Sequence, residues 1–249
     1  MEPKLKPCGR CACTLCVDNP ALDKDIAFVM DYLKQAKEYG VLKNACVSVN
    51  AHIGRMVYAM AEFYSHESEA SIYALEPEHS NYAILRENVA AINQAVGSEL
   101  IVAARAAGWN ANGPLFLRRL PESTRFYVTN SGIAGRDAIT TSGTMLDTVA
   151  STPEQRQIDV MCVDAEGAEL LLFNGARGIL EANDHMLIMS ELDFDGCRRY
   201  GASVKQVIKF LAAHQFRMVR PEDEKATVNM QPGEHTRVMF VKGDVLDTK

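Results

Sequence analysis

From Ala45 onward, short apolar runs alternate with stretches whose apolar positions recur at helical spacing. The runs are ACVSV (Ala45 to Val49), SIYAL (Ser71 to Leu75), LIVAA (Leu100 to Ala104), IDVMCV (Ile158 to Val163) and MLIMSEL (Met186 to Leu192). Such continuous apolarity suits strands buried on both faces of a parallel sheet. Between them, Tyr82, Leu85, Val89 and Ile92 share one helical face, as do Leu170, Leu171, Gly175 and Ile179. Strand and helix thus alternate as in a doubly wound α/β fold.

The pattern also marks the ends and one interruption. Asp18-Asn19-Pro20 reads as an N-cap followed by proline, and Leu22, Ile26, Val29, Met30, Leu33 and Ala36 continue as an amphipathic helix up to Gly40. Between Gly108 and Thr152, glycine, serine and threonine turns surround LFLRRL and RFYVT, which predicts an inserted hairpin or loop region of the sort that covers a site. Val204 to Ala213 reads as a helix, FRMVR as a strand and TRVMFV as a last strand reached through the Pro221 to Gly233 loop, closing the sheet with an antiparallel strand. The organisation expected is a cysteine-rich segment over 1–19 and a single domain over 20–249, with the N-terminal helix inside 20–44 and the insertion over 108–152.

At 249 residues, 47% hydrophobic and 23% charged, the chain is long enough for one domain with a substantial core. Its formal net charge of −6 argues against nucleic acid or an anionic membrane surface as partner, since neutralising phosphates needs clustered Lys and Arg. A small-molecule substrate fits better. No run approaches the roughly 20 apolar residues of a membrane span, and the N-terminus has no apolar signal-like stretch, so a soluble, cytoplasmic protein is expected.

Of seven cysteines, Cys46, Cys162 and Cys197 read as packing or incidental residues. Cys8, Cys11, Cys13 and Cys16 crowd into one short segment, with Lys4, Lys6 and Arg10 nearby to favour thiolates. The spacing Cys-x-x-Cys-x-Cys-x-x-Cys is dense enough to chelate zinc, copper(I) or an iron-sulfur cluster, although the second half of a zinc-ribbon pattern is missing. The alternative is a redox-reactive tail.

In an open α/β sheet the ligand lies beyond the carboxyl ends of the strands, so residues just after each strand carry the chemistry. After the first run come Asn50-Ala51-His52-Ile53-Gly54, and after the second, Glu76-Pro77. An acid at this offset is placed to accept hydrogen bonds from ribose hydroxyls. After the fourth run, Asp164 closes the strand and Glu166 follows two residues on, while Glu169 falls in the first helical turn, where complementing the helix dipole is as good an account as catalysis. Two carboxylates at the mouth of a buried sheet are costly unless they bind a cation, a ligand or a hydroxyl proton.

Two of these segments carry a resemblance. IDVMCVDAEGAELLLFNGARGILEAN is similar to the strand-acid-x-Glu-Gly-x-Glu-helix signature of the FkbM methyltransferases, and SIYALEPEHSNYAILRENVAAIN to their strand-Glu-Pro-helix signature. The likeness runs, more weakly, from about Ala45 to Arg220. It implies a Rossmann-like class I methyltransferase fold, S-adenosylmethionine as donor, and an O-methyl product on a sugar, lipid or natural-product hydroxyl. On this reading Ser48, Asn50, His52, Gly54, Glu76 and Pro77 hold the cofactor. Asp164 or Glu166 takes the acceptor proton, or the two ligate a divalent cation.

One departure stands out: where the family reads Asp-x-Gly-Ala-Asn-x-Gly, this chain has Ser48-Val49-Asn50-Ala51-His52-Ile53-Gly54. A catalytically degenerate binding or regulatory module, with the cysteines sensing metal or redox state, is therefore the alternative function. A nicotinamide-dependent oxidoreductase is disfavoured by the missing glycines of G-x-G-x-x-G. Around the acceptor, Glu191 is either a lining residue or an ordinary strand-end acid, Arg118, Arg119 and Arg125 are either anion contacts or solvated, and Trp109 and Tyr127 either stack on a sugar or pack the insertion.

Overall fold

The computed structural model describes residues 20–67, 69–120, 126–130, 139–220 and 229–246. In chain order the elements are α1 (Pro20–Glu38), β1 (Ala45–Val49), α2 (Arg55–Tyr64), β2 (Ser71–Leu75), α3 (His79–Val96) and β3 (Ile101–Ala104). There follow β4 (Ala106–Gly108), β5 (Gly113–Arg119), β6 (Phe126–Thr129), β7 (Ile139–Thr144) and α4 (Leu146–Val149). The chain continues through β8 (Val160–Val163), α5 (Glu169–Asn174), α6 (Arg177–Ala182), β9 (Met186–Asp193) and α7 (Phe194–Arg199). Its last elements are α8 (Val204–Ala213), β10 (Arg217–Arg220) and β11 (His235–Lys242).

Seven strands form one sheet in the order β10-β11-β9-β8-β1-β2-β3. β1, β2, β3, β8 and β9 pair parallel, and β11 pairs antiparallel with both β9 and β10. The chain order reverses between β1 and β8, which makes the crevice above them the switch point where a ligand is expected.

Why both faces must be covered is visible in the strands themselves. All five residues of β1 and all four of β8 are buried, and alternate residues divide between two cores. Val47, Val49, Met161, Val163 and Ile188 point toward α5, α6 and α8. Cys46, Ile72, Val160, Cys162 and Leu187 point toward α1, α2 and α3. Helix α1 presents Val29, Leu33 and Ala36 of the predicted stripe, and Tyr32 outside it, to the second of these cores.

At the amino ends of the strands, buried Asp159 accepts hydrogen bonds from the backbone N–H groups of Lys43 and Ala45 and from the Tyr64 hydroxyl, at 2.8, 3.2 and 2.8 Å. Cys46 Sγ donates to the same hydroxyl. This network locks β1, β8 and α2 together far from the crevice, and accounts for Cys46 as a packing residue.

Two regions differ from the sequence reading. The helix expected through Leu170 and Ile179 is broken into α5 and α6, because Gly175 passes so close to Trp109 that an added Cβ would lie 2.0 Å from the Trp109 carbonyl oxygen. Leu172 and Phe173, rather than Leu170 and Leu171, become the buried apolar residues of α5. The insertion is more than a hairpin: β4, β7, β5 and β6 form a second sheet in that order. It packs Leu115, Leu117 and Val128 with Trp109 against Ala168 at the start of α5.

Candidate functional site

Three strand ends converge at the switch point. The turn after β1 leaves its strand through Asn50 at φ 58°, passes His52 at φ 52° and enters α2 from Gly54 at φ 97°. Left-handed backbone costs a non-glycine residue roughly 1–2 kcal/mol, least for asparagine. The turn is held by hydrogen bonds from Ala51 N–H to the Leu75 carbonyl and from Gly54 N–H to the Ala51 carbonyl, both 2.9 Å. From below, Asn88 Nδ2 donates to the Ile53 carbonyl at 2.8 Å. Ser48 is not on this turn; it is buried within β1, paired with Ala74 and Cys162.

Glu76 ends β2 with its side chain only 4% exposed. Its Oε2 accepts from the His52 N–H and its Oε1 from the Glu78 N–H, each at 2.9 Å. The acid thus fastens the β1 turn to the start of α3, and the roughly four acceptor sites of a carboxylate leave room for a further donor. Glu78 caps α3, accepting from Asn81 N–H at 2.8 Å. The Pro77 carbonyl accepts from the Thr141 hydroxyl of β7 at 3.3 Å, which ties the inserted sheet to this corner. Burial lowers the His52 pKa, opposed by Glu78, so the ring favours its neutral form.

The third strand end is Asp164 to Ala168. Asp164 N–H donates to the Val49 carbonyl at 3.3 Å, bringing the β8 loop beside the β1 turn. Asp164 is half-buried and Glu166 buried. Glu166 (φ 53°) and Gly167 (φ 98°) are consecutive left-handed residues. Glu169 is fully buried and folds back, its Oε1 accepting from the N–H groups of Ala165 and Gly167 at 3.1 and 3.2 Å. On the carbonyl side, Arg199 Nη1 donates to Glu166 O at 3.2 Å. The structure therefore brings the Asn50–Gly54 turn, Glu76 and the loop that carries Asp164 and Glu166 together at the carboxyl ends of adjacent strands.

The profile of the methyltransferase FkbM domain matches residues 48–218, which contain all of these strand ends. This chain belongs to the FkbM methyltransferase family. Among solved structures, the FkbM methyltransferase from Methylobacillus flagellatus superposes with a TM-score of 0.52 at 12% identity. That match covers 88% of this chain and 51% of the other, so the chain spans about half the length of that protein. A proposed rRNA methylase from Clostridium thermocellum superposes with a TM-score of 0.53 at 8% identity, over 90% of this chain and 97% of that one. At these identities the likeness is one of fold. No curated protein matches the sequence significantly.

In this FkbM methyltransferase domain, several residues have structural employment. Glu191 is paired with Arg237 Nε at 3.1 Å, and Arg237 Nη1 reaches Asp25 of α1 at 3.3 Å, so Glu191 anchors the N-terminal helix to β9 and β11. Trp109 is buried against Tyr200 in an edge-on contact with ring centroids 5.8 Å apart, and packs the insertion. Arg118 lies opposite Tyr127 in the β5/β6 pair, Arg119 is exposed, and the Arg199 guanidinium sits 4.8 Å from the Tyr127 ring centroid.

Sequence reasoning missed α7 and the tyrosine at its end. Tyr200 Oη donates to the Val128 carbonyl at 2.7 Å and accepts from its N–H at 3.0 Å, clamping the edge of β6. With Arg199, it links the inserted sheet to the Glu166 loop.

Among the described residues, no group of three or more His, Cys, Asp or Glu side chains is placed to hold a metal ion. The divalent cation expected at Asp164 and Glu166 gains no support from this geometry: two carboxylates alone are a sparse ligand set for such an ion. Cys8, Cys11, Cys13, Cys16 and Arg125 lie outside the described residues. No helix among the described residues is long and apolar enough to cross a membrane.

Burial pushes both Glu76 and Glu169 up to about 7 from an ordinary value of 4.5, against the hydrogen bonds they accept. The folded chain then binds more protons than the unfolded chain between about pH 4.5 and 7. Stability contributed by the neutral acids is lost as pH rises through that window. Glu169→Gln removes one such acid. Its stability relative to the parent should rise by roughly 2–3 kcal/mol between pH 5 and 8 in urea unfolding. A difference that does not change with pH would show that Glu169 ionises in the folded chain as it does in water.

Proposed function

We propose that this chain transfers the methyl group of S-adenosylmethionine to a hydroxyl oxygen of a small sugar, lipid or natural-product acceptor. The observation that carries the reading is the meeting of the β1 turn, the Glu76 carboxylate and the Asp164–Glu166 loop at the switch point, in a chain of the FkbM methyltransferase family. The net charge of −6 favours a small acceptor over nucleic acid.

The residues present fit the cofactor. Glu76 stands at the end of β2, already orienting the turn and retaining acceptor capacity for ribose hydroxyls. Asn50, His52 and Gly54 adopt left-handed conformations that give the turn its shape despite the changed side chains, which weakens the degenerate-module alternative. Ser48 acts through the strand that supports the turn rather than by contact.

S-adenosylmethionine, when bound, supplies an electrophilic methyl group. The acceptor oxygen must lose its proton on attack, and Asp164 or Glu166 receives it, being the carboxylates at the mouth beside the turn. Alignment of the acceptor supplies much of the remaining rate. The inserted sheet, tied to Pro77 by Thr141 and to the Glu166 loop by α7, forms a wall beside the acceptor position.

The test is transfer of labelled methyl from S-adenosylmethionine to a panel of sugar, lipid and natural-product hydroxyls. Asp164→Asn or Glu166→Gln should lower kcat by about 100-fold, the usual scale for losing a general base, with cofactor binding retained. Transfer to RNA alone would overturn the small-acceptor reading, and parent-like rates in both variants would remove the base role from this loop.

A further inference from the structure

We infer that Glu169 is a positioning residue: its buried carboxylate, by accepting both Ala165 N–H and Gly167 N–H, sets the loop that carries Asp164 and Glu166. For its catalytic meaning this rests on the methyl-transfer reading above.

Neither simple account of Glu169 fits the geometry. It is not the N-cap of α5, a position held by Ala168, which makes no side-chain cap. Nor does it complement the helix dipole from solvent, because it is fully buried and is the first residue of α5, with its side chain turned back under the preceding loop. Oε1 spans two amides that are two residues apart, so it closes the loop the way an anion fills a concavity of backbone N–H groups. Oε2 is buried with no hydrogen-bond partner among the described residues. A neutral carboxyl or amide oxygen can accept from the same two N–H groups, since only Oε1 is used.

The loop needs such a hold. Two left-handed residues in succession, one of them Glu166, persist only where the surroundings over-determine them. Glu169 holds the N–H side, Arg199 holds the Glu166 carbonyl, and Gly167 abuts the backbone of Gly196. The Ala165 and Gly167 N–H groups belong to the peptide units that follow Asp164 and Glu166, so holding those two amides restrains the backbone from which both side chains project.

The experiment compares the full chain with Glu169→Gln and Glu169→Ala by amide hydrogen exchange, S-adenosylhomocysteine titration and, with an accepted hydroxyl substrate, kinetics. In Glu169→Ala the amides of Ala165 and Gly167 should exchange at least about 10-fold faster, as expected for loss of hydrogen bonds of ordinary strength, while those of Met161 to Val163 stay protected. Glu169→Gln should restore protection. S-adenosylhomocysteine affinity should be the same in all three chains, and kcat should fall in Glu169→Ala and recover in Glu169→Gln. Unchanged exchange at Ala165 and Gly167 in Glu169→Ala, or exchange accelerated equally in both variants, overturns the inference. A parent chain that binds no S-adenosylhomocysteine would instead count against the methyl-transfer reading, and the exchange result would still decide the hold on the loop.

Discussion

Glu76→Ala should weaken S-adenosylmethionine binding by about 100-fold or more. Two contributions add. Hydrogen bonds to a charged acceptor are worth roughly 1.5–3 kcal/mol each, so losing the ribose contact alone approaches the roughly 2.7 kcal/mol that a factor of 100 represents. Glu76 also accepts from His52 N–H, and its loss frees a turn in which Asn50, His52 and Gly54 are all left-handed. The cofactor would then have to order the turn as it binds. Glu76→Gln keeps an acceptor but loses the charge and should fall between the two. Because burial pushes Glu76 up to about 7, and hydroxyl donors favour the ionised acid, affinity in the parent should rise with pH through that value. In Glu76→Gln that rise should be absent. Calorimetric titration at pH 6 and pH 8 reads both effects, and an alanine variant with parent affinity would remove Glu76 from the cofactor site.

Gly167→Ala should be the most destabilising single methyl addition in the site. Its φ of 98° lies where side chains are strained, and an added Cβ would fall 2.0 Å from the Gly196 carbonyl carbon and 2.3 Å from its Cα. Backbone cannot yield as a side-chain tip does. The strain and the overlap together should cost at least about 3 kcal/mol, roughly 10 °C in Tm for a chain of this size. Gly201→Ala is the control: φ is 69° but nothing among the described residues lies within 4 Å of the new Cβ. It should lose only about 1 kcal/mol, the left-handed backbone cost by itself. Equal losses in the two variants would mean that the Gly167 to Gly196 contact does not constrain the site.

The five core strands were legible because each is an apolar run buried on both faces, a signal carried by consecutive residues. Glu76, Asp164 and Glu166 were legible because a strand end followed by an acid is also a local pattern. The break between α5 and α6 was not, since it depends on Gly175 meeting Trp109 from the insertion. The four-stranded inserted sheet hid behind a glycine- and threonine-rich sequence with little periodicity. Glu191 looked like a site residue because its partner Arg237 is distant in sequence. The same distance concealed the clamp of Tyr200 on Val128. For Glu169 the sequence leaves helix-dipole complement and catalysis both open, because nothing in its neighbours reveals that its side chain turns back and is buried.

On the proposed function, the Asn50–Gly54 turn and Glu76 hold S-adenosylmethionine beside the Asp164–Glu166 loop. Calorimetric titration of the purified 249-residue chain with S-adenosylmethionine tests this. One equivalent should bind, with a matching rise in thermal stability as the ligand exceeds its Kd, about 2.7 kcal/mol at a 100-fold excess over Kd. No binding heat and no stabilisation at millimolar ligand would contradict it.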